Sequence, residues 1–428
     1  MKLITFLGTG NYQETNYFWE KDASEKLEYK TKFFPEALAN WLKPEKVLVL
    51  LTEEAENHNN WKELKSLLET KFNYTPFVVN IPSGSNETEL WQIFSRLTKY
   101  IEQSDELVFD ITHGFRSLPL LSLLAISYLR VAKNINVEYL LYGAFDARDK
   151  NNNLSPTFNL TEFVNLLDWI TATDQFVKTG DSSQIGKLIK IPHDNQLENL
   201  KNLPVEQKIE GKKTLAKSLK ELGNILDTLS KSLLLVRPIE ISKNVERLEK
   251  NLNDEKAKIE AELSAKPILV LFDRIQQEYK NFENTDLTTQ LKLIEWYINH
   301  NHISQAVSLG REWLISWASE ALGLKPWHNY LAKDHRSLIE DGINNYYHWK
   351  KEKKKKKEEG KSFVKPILMI EQINNIDKTD AFYKAWSTID LRNDLMHCGM
   401  RPDPLKVENI FEQARNFVTF LKECNSSL

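Results

Sequence analysis

Glycine and cysteine are what this chain has least of. Its 428 residues include 14 glycines, roughly half the usual share, which argues against a turn-rich all-β fold and favours long helices. Cys398 and Cys424 are its two cysteines, too few for a disulfide framework or a Cys-based zinc site. An excess of one charge is missing too. With a formal net charge of −3 there is no global signature of a nucleic-acid binder, so any RNA contact has to be a local patch or a transient substrate contact. Long apolar runs are also lacking. The N-terminal run Met1 to Gly8 is too short for a signal peptide. The longest run, Leu118 to Leu129, holds two serines and a proline and falls well short of a bilayer span. We therefore expect a cytoplasmic protein without membrane association. What remains, 41% hydrophobic and 27% charged residues, is the composition of ordinary globular domains, and the length suits about three of them.

The first third is rich in short, nearly continuous apolar runs. They are residues 2–7, Val47 to Leu51, Pro76 to Ile81, Glu106 to Ile111 and Val137 to Tyr142. Helical patterns separate them, such as Trp61-Leu64-Leu67-Leu68 and Leu90-Phe94-Leu97-Ile101. Apolar strands alternating with amphipathic helices imply a mostly parallel sheet covered on both faces. Five βα units over residues 1–150 make a Rossmann-like α/β domain.

Ligands of such sheets bind beyond the carboxyl ends of the strands, near a switch point. Two strand ends carry chemistry suited to that. The first run ends in Gly8-Thr9-Gly10-Asn11-Tyr12, where glycines let backbone N–H groups approach an anion. The fourth ends in Asp110-Ile111-Thr112-His113-Gly114-Phe115-Arg116-Ser117. There Gly114 permits close approach, the following helix N-terminus favours a phosphate, and Arg116 adds charge. A plainer reading stands beside this one: a tight turn at Gly8 to Gly10, a helix cap at Thr112 and a hydrogen-bonded surface histidine at His113. A nicotinamide dinucleotide fits poorly. The run lacks the third glycine of that fingerprint, and Glu53-Glu54 lies about twice too far along for the ribose contact.

From Asn151 onward strand signals stop, and residues 151–266 read as an all-α connector. Leu215, Leu219, Leu222, Leu226, Leu229 and Leu233 follow a 4-3-4-3-4 spacing, close to a heptad seam. A second helix around Val245-Leu248-Leu252 follows Pro238, so the seam serves either an intrachain hairpin or an intermolecular coiled coil. Residues 267–428 read as an all-α helical bundle. Its tryptophans, Trp313 and Trp317 among them, sit at core spacing. The lysine run Lys350 to Lys361 has no apolar period and reads as a solvated loop or helix extension.

Near the C-terminus Leu391-Arg392-Asn393-Asp394-Leu395-Met396-His397 precedes Gly399 and Pro402. Arg392 offers a fixed cation for a phosphate and His397 a group that moves protons, two parts of a metal-free phosphodiester cleavage. Five positions along a helix turn two side chains roughly 140° apart. One copy's pair therefore need not converge on one phosphate, whereas two copies facing across a two-fold axis could, each giving a cation and an imidazole to a shared cleft. The histidines are otherwise scattered, no His-Glu-x-x-His pattern occurs, and no metal site is expected.

The two glycine-containing loops together resemble the CARF domain of CRISPR-associated proteins, over roughly residues 1–145. Arg392-Asn393-Asp394-Leu395-Met396-His397 resembles the Arg-x4–6-His signature of HEPN ribonucleases, including the asparagine after the arginine. The whole chain looks like a CARF–HEPN ribonuclease of type III CRISPR systems. That resemblance implies a homodimer whose sensor binds cyclic oligoadenylate, tetra-adenylate in preference to hexa-adenylate, and switches on cleavage of single-stranded RNA. Arg392 would stabilise the transition state, His397 would serve in proton transfer with Asn393 supporting the geometry, and a 2′,3′-cyclic phosphate would remain. Gly8, Thr9, Gly10, Asn11, Thr112, His113, Gly114 and Arg116 would hold the activator. No cofactor beyond that allosteric activator, and no stable association with the CRISPR effector complex, is implied. Ring cleavage of the activator by Thr9, Thr112 or His113 stays open. Two other readings remain: a ligand-sensing scaffold with a structural Arg–His pair, and a toxin-like HEPN nuclease that needs no activator.

Overall fold

The computed structural model describes residues 1–21, 25–114, 117–201, 204, 216–323, 333–358, 375 and 380–426. They form two compact units, Met1–Ile170 and Thr171–Leu428.

The first unit is built on one eight-stranded sheet: β1 (Lys2–Phe6), β2 (Thr15–Glu20), β3 (Lys26–Thr31), β4 (Lys46–Leu51), β5 (Phe77–Asn80), β6 (Glu106–Asp110), β7 (Asn136–Gly143) and β8 (Leu154–Asn159). Their order is β3-β2-β8-β7-β6-β1-β4-β5. The five strands expected from the apolar runs pair in parallel, with β1 between β4 and β6. The chain winds outward from β1 through β4 to β5, then returns to β6 and β7 on the other side. The switch point therefore falls between β1 and β6, where both glycine-containing loops leave the sheet.

Alternate residues feed two cores, as the period of a strand requires. Ile4, Leu48, Leu107 and Phe109 face one side with Ile93 and Leu97 of α4 (Glu87–Lys99) and Ile126 and Leu129 of α5 (Ser117–Ala132). Leu3, Val47, Val49 and Val108 face the other side, with Phe34 and Leu38 of α1 (Phe34–Leu42) and Trp61, Leu64 and Leu68 of α3 (Asn59–Phe72). The short α2 (Glu53–Asn57) lies between β4 and α3 in sequence.

Strand signals do not stop at Asn151. β8 runs antiparallel to β7 and parallel to β2, and β2 pairs antiparallel with β3. These three strands escape the apolar-run criterion for a physical reason. β2 buries alternate residues, Thr15, Tyr17 and Trp19. β3 is mostly charged or exposed, and β8 contains Pro156. Each is an outer strand of the sheet or close to one, with less apolar cover than the middle.

The second unit is helical. After α6 (Thr161–Thr179), which begins in the first unit, come α7 (Ser183–Leu200), α8 (Lys217–Leu234), α9 (Pro238–Leu252), α10 (Glu255–Ser264) and α11 (Phe272–Tyr279). They are followed by α12 (Leu287–Asn299), α13 (Ile303–Ala321), α14 (Lys333–Glu358), α15 (Ala381–Ser387), α16 (Ile389–Met396) and α17 (Val407–Ser426). Leu219, Leu222, Leu226, Leu229 and Leu233 are buried within the chain, where α8 packs on α7 and α9. The heptad-like seam thus serves intrachain packing; Leu215 lies outside the described residues. Trp313 and Trp317 are core residues, and the Trp313 indole donates to the Leu287 carbonyl at 2.8 Å. The lysine run enters the end of α14, with residues 351–355 exposed; its residues 359–361 lie outside the described residues. Among the described residues no helix is long and apolar enough to cross a membrane.

Helices α7 and α8 meet backbone to backbone. A Cβ on Gly186 would sit 2.7 Å from the Gly223 carbonyl oxygen, and one on Gly223 would sit 2.5 Å from that of Gly186. Alanine normally stabilises a helix interior over glycine by about 1 kcal/mol. Here we expect the reverse: Gly223→Ala should destabilise by roughly 1–3 kcal/mol through overpacking. Chemical denaturation of the two proteins tests this, and a variant as stable as the parent contradicts the close crossing.

Candidate functional site

The first cluster grows from the ends of β1, β6 and β7. Asp110, the last residue of β6, is fully buried. Its carboxylate accepts the Thr5 hydroxyl of β1 at 2.6 Å and the Thr112 amide at 2.8 Å. The Thr112 hydroxyl accepts the Gly143 amide at the end of β7, also at 2.8 Å. Thr112 is therefore a tie between strand ends rather than a helix cap. Burial pushes the Asp110 carboxyl up to about 6, against the opposing effect of the Thr112 and Thr5 hydrogen bonds.

The Gly8–Tyr12 loop is fastened from the other side. Asn60, at the start of α3, donates its amide to the carbonyls of Gly8 at 3.2 Å and Gly10 at 2.9 Å. Tyr12 folds back over the loop, its hydroxyl accepting the Gly8 amide at 3.0 Å and its ring lying 4.2 Å from that of His113. The glycines serve proximity, not unusual dihedrals: a Cβ on Gly8 would lie 3.2 Å from the Tyr12 hydroxyl, and one on Gly10 3.1 Å from its ring. A Cβ on Gly114 would likewise crowd Leu118 at 3.2 Å. Thr9, Gly10 and Asn11 remain exposed.

His113 is neither exposed nor charged. Its Nε2 accepts the Phe34 amide at 3.2 Å, and burial depresses its pKa to about 3. A neutral imidazole with Nε2 as acceptor keeps its remaining proton on Nδ1. Arg116, the cation expected here, lies outside the described residues. Sequence reasoning passed over a second cation, Arg148, beyond the end of β7. Its guanidinium stacks 4.0 Å from the Phe145 ring and reaches the Gln13 side chain at 3.5 Å. Gly8, Thr9, Gly10, Asn11, Thr112, His113 and Gly114 therefore gather at one rim. Asn60 joins them from a position that no local motif marks, Tyr12 closes the same loop, and Arg148 approaches through Gln13, the next residue along.

The second cluster lies on α16, in the helical unit. Leu391 and Asp394 point inward and are buried. Arg392 is half-buried, donates to the Asn393 side-chain oxygen at 3.2 Å, and lines a small cleft with Val307, Arg311, Trp386 and Phe417. His397 caps the helix with its amide on the Asn393 carbonyl at 2.9 Å, and its side chain is exposed. It makes no side-chain hydrogen bond or ion pair with the described residues, and none joins it to Arg392. Asp394, which the spacing argument left without a role, holds the exit from the helix. It accepts the Leu405 amide at 3.2 Å, and the Gly399 amide returns to its carbonyl at 2.9 Å. Gly399 adopts φ +68, the left-handed conformation common at helix ends. Among the described residues no group of three or more His, Cys, Asp or Glu could hold a metal ion.

Asp110 yields a signed pH prediction. Its folded pKa, about 6, exceeds the ordinary 3.8, so the folded chain binds more protons than the unfolded one between these values. This contribution to stability is present at low pH and is lost as pH rises through 6, by up to about 3 kcal/mol. The depressed His113 has the opposite sign, so comparison with a single variant isolates the carboxyl. Asp110→Asn keeps the shape and cannot ionise. Its stability relative to the parent should rise between pH 4.5 and 7; denaturation curves displaced by a constant amount at both pH values contradict the assignment.

Comparison with known proteins bears on both units. The family model described as the CARF domain of the CRISPR system endoribonuclease Csx1 matches residues 2–146. That described as the second domain of the CRISPR-associated protein MJ1674 matches residues 165–285. The chain is also similar to the CRISPR-associated protein MJ1674 of Methanocaldococcus jannaschii, at 29% identity over 113 residues, 26% of this chain and 18% of that protein. The chain thus spans about a fifth of the length of this curated relative. With the switch-point loops inside the first match and the following helices inside the second, the matches support a CARF-containing CRISPR-associated protein.

Proposed function

We propose that this chain is an endoribonuclease of type III CRISPR antiviral defence, switched on by cyclic oligoadenylate and active as a homodimer on single-stranded RNA. The observation that carries the reading is the pairing of Arg392 with Asn393 on a short helix whose end presents His397 to solvent, in a chain that also holds a CARF domain. The name of the matching family, an endoribonuclease, points the same way.

The chemistry follows from those groups. A ribose 2′-hydroxyl gives up its proton and attacks the adjacent phosphorus, the P–O5′ bond breaks, and the departing O5′ takes a proton. His397 moves one of these protons, and Arg392 stabilises the charge that builds on the non-bridging oxygens. Asn393 holds the guanidinium by the hydrogen bond already described. The products are a 2′,3′-cyclic phosphate and a 5′-hydroxyl. A half-buried Arg392 and an exposed His397 roughly 140° apart on one helix suit a cleft shared by two copies. Met396 and Met400, both exposed, lie beside His397.

The first unit offers a surface for the same association. Leu120, Leu124, Tyr128 and Val131 form an exposed apolar stripe on α5, opposite the buried Leu118, Ile126 and Leu129. That is why the sequence there reads as apolar throughout. A contiguous apolar face of this kind suits a self-complementary contact. The activator's phosphates meet the Gly8–Asn11 loop and the Thr112–Gly114 turn, with tetra-adenylate preferred over hexa-adenylate. The Thr112 hydroxyl and His113 Nε2 are already engaged, which leaves the exposed Thr9 as the better placed group for any cleavage of the activator. Function in this reading needs no metal and no stable attachment to the CRISPR effector complex.

Two tests follow. Arg392→Ala and His397→Ala should each lower activator-dependent cleavage of a fluorogenic RNA by at least about 100-fold, with activator binding unchanged. Cleavage at the parental rate by both variants would overturn the ribonuclease reading. Leu124→Asp should shift the protein from dimer to monomer in analytical ultracentrifugation and lower cleavage with it; an unaltered dimer rules out the α5 stripe as its contact.

A further inference from the structure

The Gly8–Tyr12 loop already holds an oxygen where an anion belongs. Asn60 holds the carbonyls of Gly8 and Gly10, the Tyr12 amide closes on the Gly10 carbonyl, and the Gly8 amide turns to the Tyr12 side chain. There the Gly8 amide donates to the Tyr12 hydroxyl at 3.0 Å. Burial pushes the Tyr12 phenol up, while the Gly8 and Gly10 amides both act to lower it and the Asp110 charge adds to the rise. The phenol is thus a neutral acceptor beside two backbone N–H groups. A neutral acceptor is the weaker competitor, since hydrogen bonds to an ionised oxygen are roughly twice as strong.

We propose that the Tyr12 hydroxyl occupies the position of a phosphodiester oxygen of the ligand, and that binding transfers the Gly8 amide from the phenol to that oxygen. Tyr12 is then an affinity-setting residue of the sensor. The ring lies against the His113 and Phe33 rings, at 4.2 and 6.0 Å, and packs at the edge of the apolar core on that side of the sheet, so the transfer needs only the hydroxyl to give up the amide. This rests on the reading of the first unit as a cyclic-oligoadenylate sensor.

The test is calorimetric titration of the full chain and of Tyr12→Phe with cyclic tri-, tetra- and hexa-adenylate. Phenylalanine keeps the ring packing and removes the competing oxygen, and a melting curve verifies that the fold is intact. We expect the variant to bind the preferred ring roughly three- to tenfold more tightly, the worth of one ordinary hydrogen bond. Tyr12→Leu, which removes the ring as well, should bind at least as tightly as the parent and serves if the first variant fails to fold. Equal or weaker binding by Tyr12→Phe overturns the proposal while leaving the sensor reading intact. If no ring binds the parent or either variant, the sensor reading itself fails and takes the Tyr12 assignment with it.

Discussion

One buried carboxylate fastens the rim from which both glycine-containing loops leave the sheet. Asp110 ties β1 through Thr5 and the following turn through Thr112, and Thr112 in turn ties β7 through Gly143. Burying a carboxyl without partners is costly. Its retention at the switch point means that three strand ends are held in fixed register by hydrogen bonds and not by apolar packing alone. The loops above can then expose amides and small side chains to solvent without the sheet ends fraying. His113 fits the same logic, since its acceptor nitrogen closes on the start of α1. The two motif residues that looked most chemical, Thr112 and His113, are structural at least in part. Thr9, Gly10 and Asn11 are the exposed residues of this rim, and in the proposed reading they face the ligand.

The helical unit handles its site differently. Leu391 and Asp394 anchor α16 from within, the helix presents Arg392 to a narrow cleft, and its C-terminal cap presents His397 to solvent. Arg311 lines that cleft too, but its charge is met by Glu312 and Glu340. Two guanidinium groups can therefore share one small space without strong mutual repulsion. In the proposed reaction a phosphate arriving at Arg392 would meet a half-buried cation whose neighbour is neutralised. Such preorganisation is what makes a fixed charge useful in a transition state.

What the sequence disclosed and what it hid follow one rule. Features carried by local spacing were legible: the five parallel strands as continuous apolar runs, the leucine seam of α8, the Arg392–His397 interval and the two glycine-containing loops. Features assembled from distant segments were not. Asn60 reaches Gly8 and Gly10 from about fifty positions away, and Arg148 reaches Gln13 from 135. β2, β3 and β8 were missed because outer strands need less apolar cover, so their polar faces and Pro156 read as loop. Asp110 was visible as a strand end, yet nothing local marks a carboxyl as buried until the threonines that satisfy it are in place.

If the Gly8–Tyr12 loop senses a ligand as proposed, its contact with its own Tyr12 has a consequence for signalling. A ligand shifts an equilibrium only by its differential affinity for the two states. An internal acceptor such as the Tyr12 hydroxyl lowers apparent affinity by the fraction of time the amide is occupied. On the proposal made for Tyr12, any ligand that takes the Gly8 amide would meet that cost once for each copy of the loop it engages. A ligand whose phosphates reach further groups at the same time would offset it with those additional contacts, which a nucleotide with one phosphate does not have.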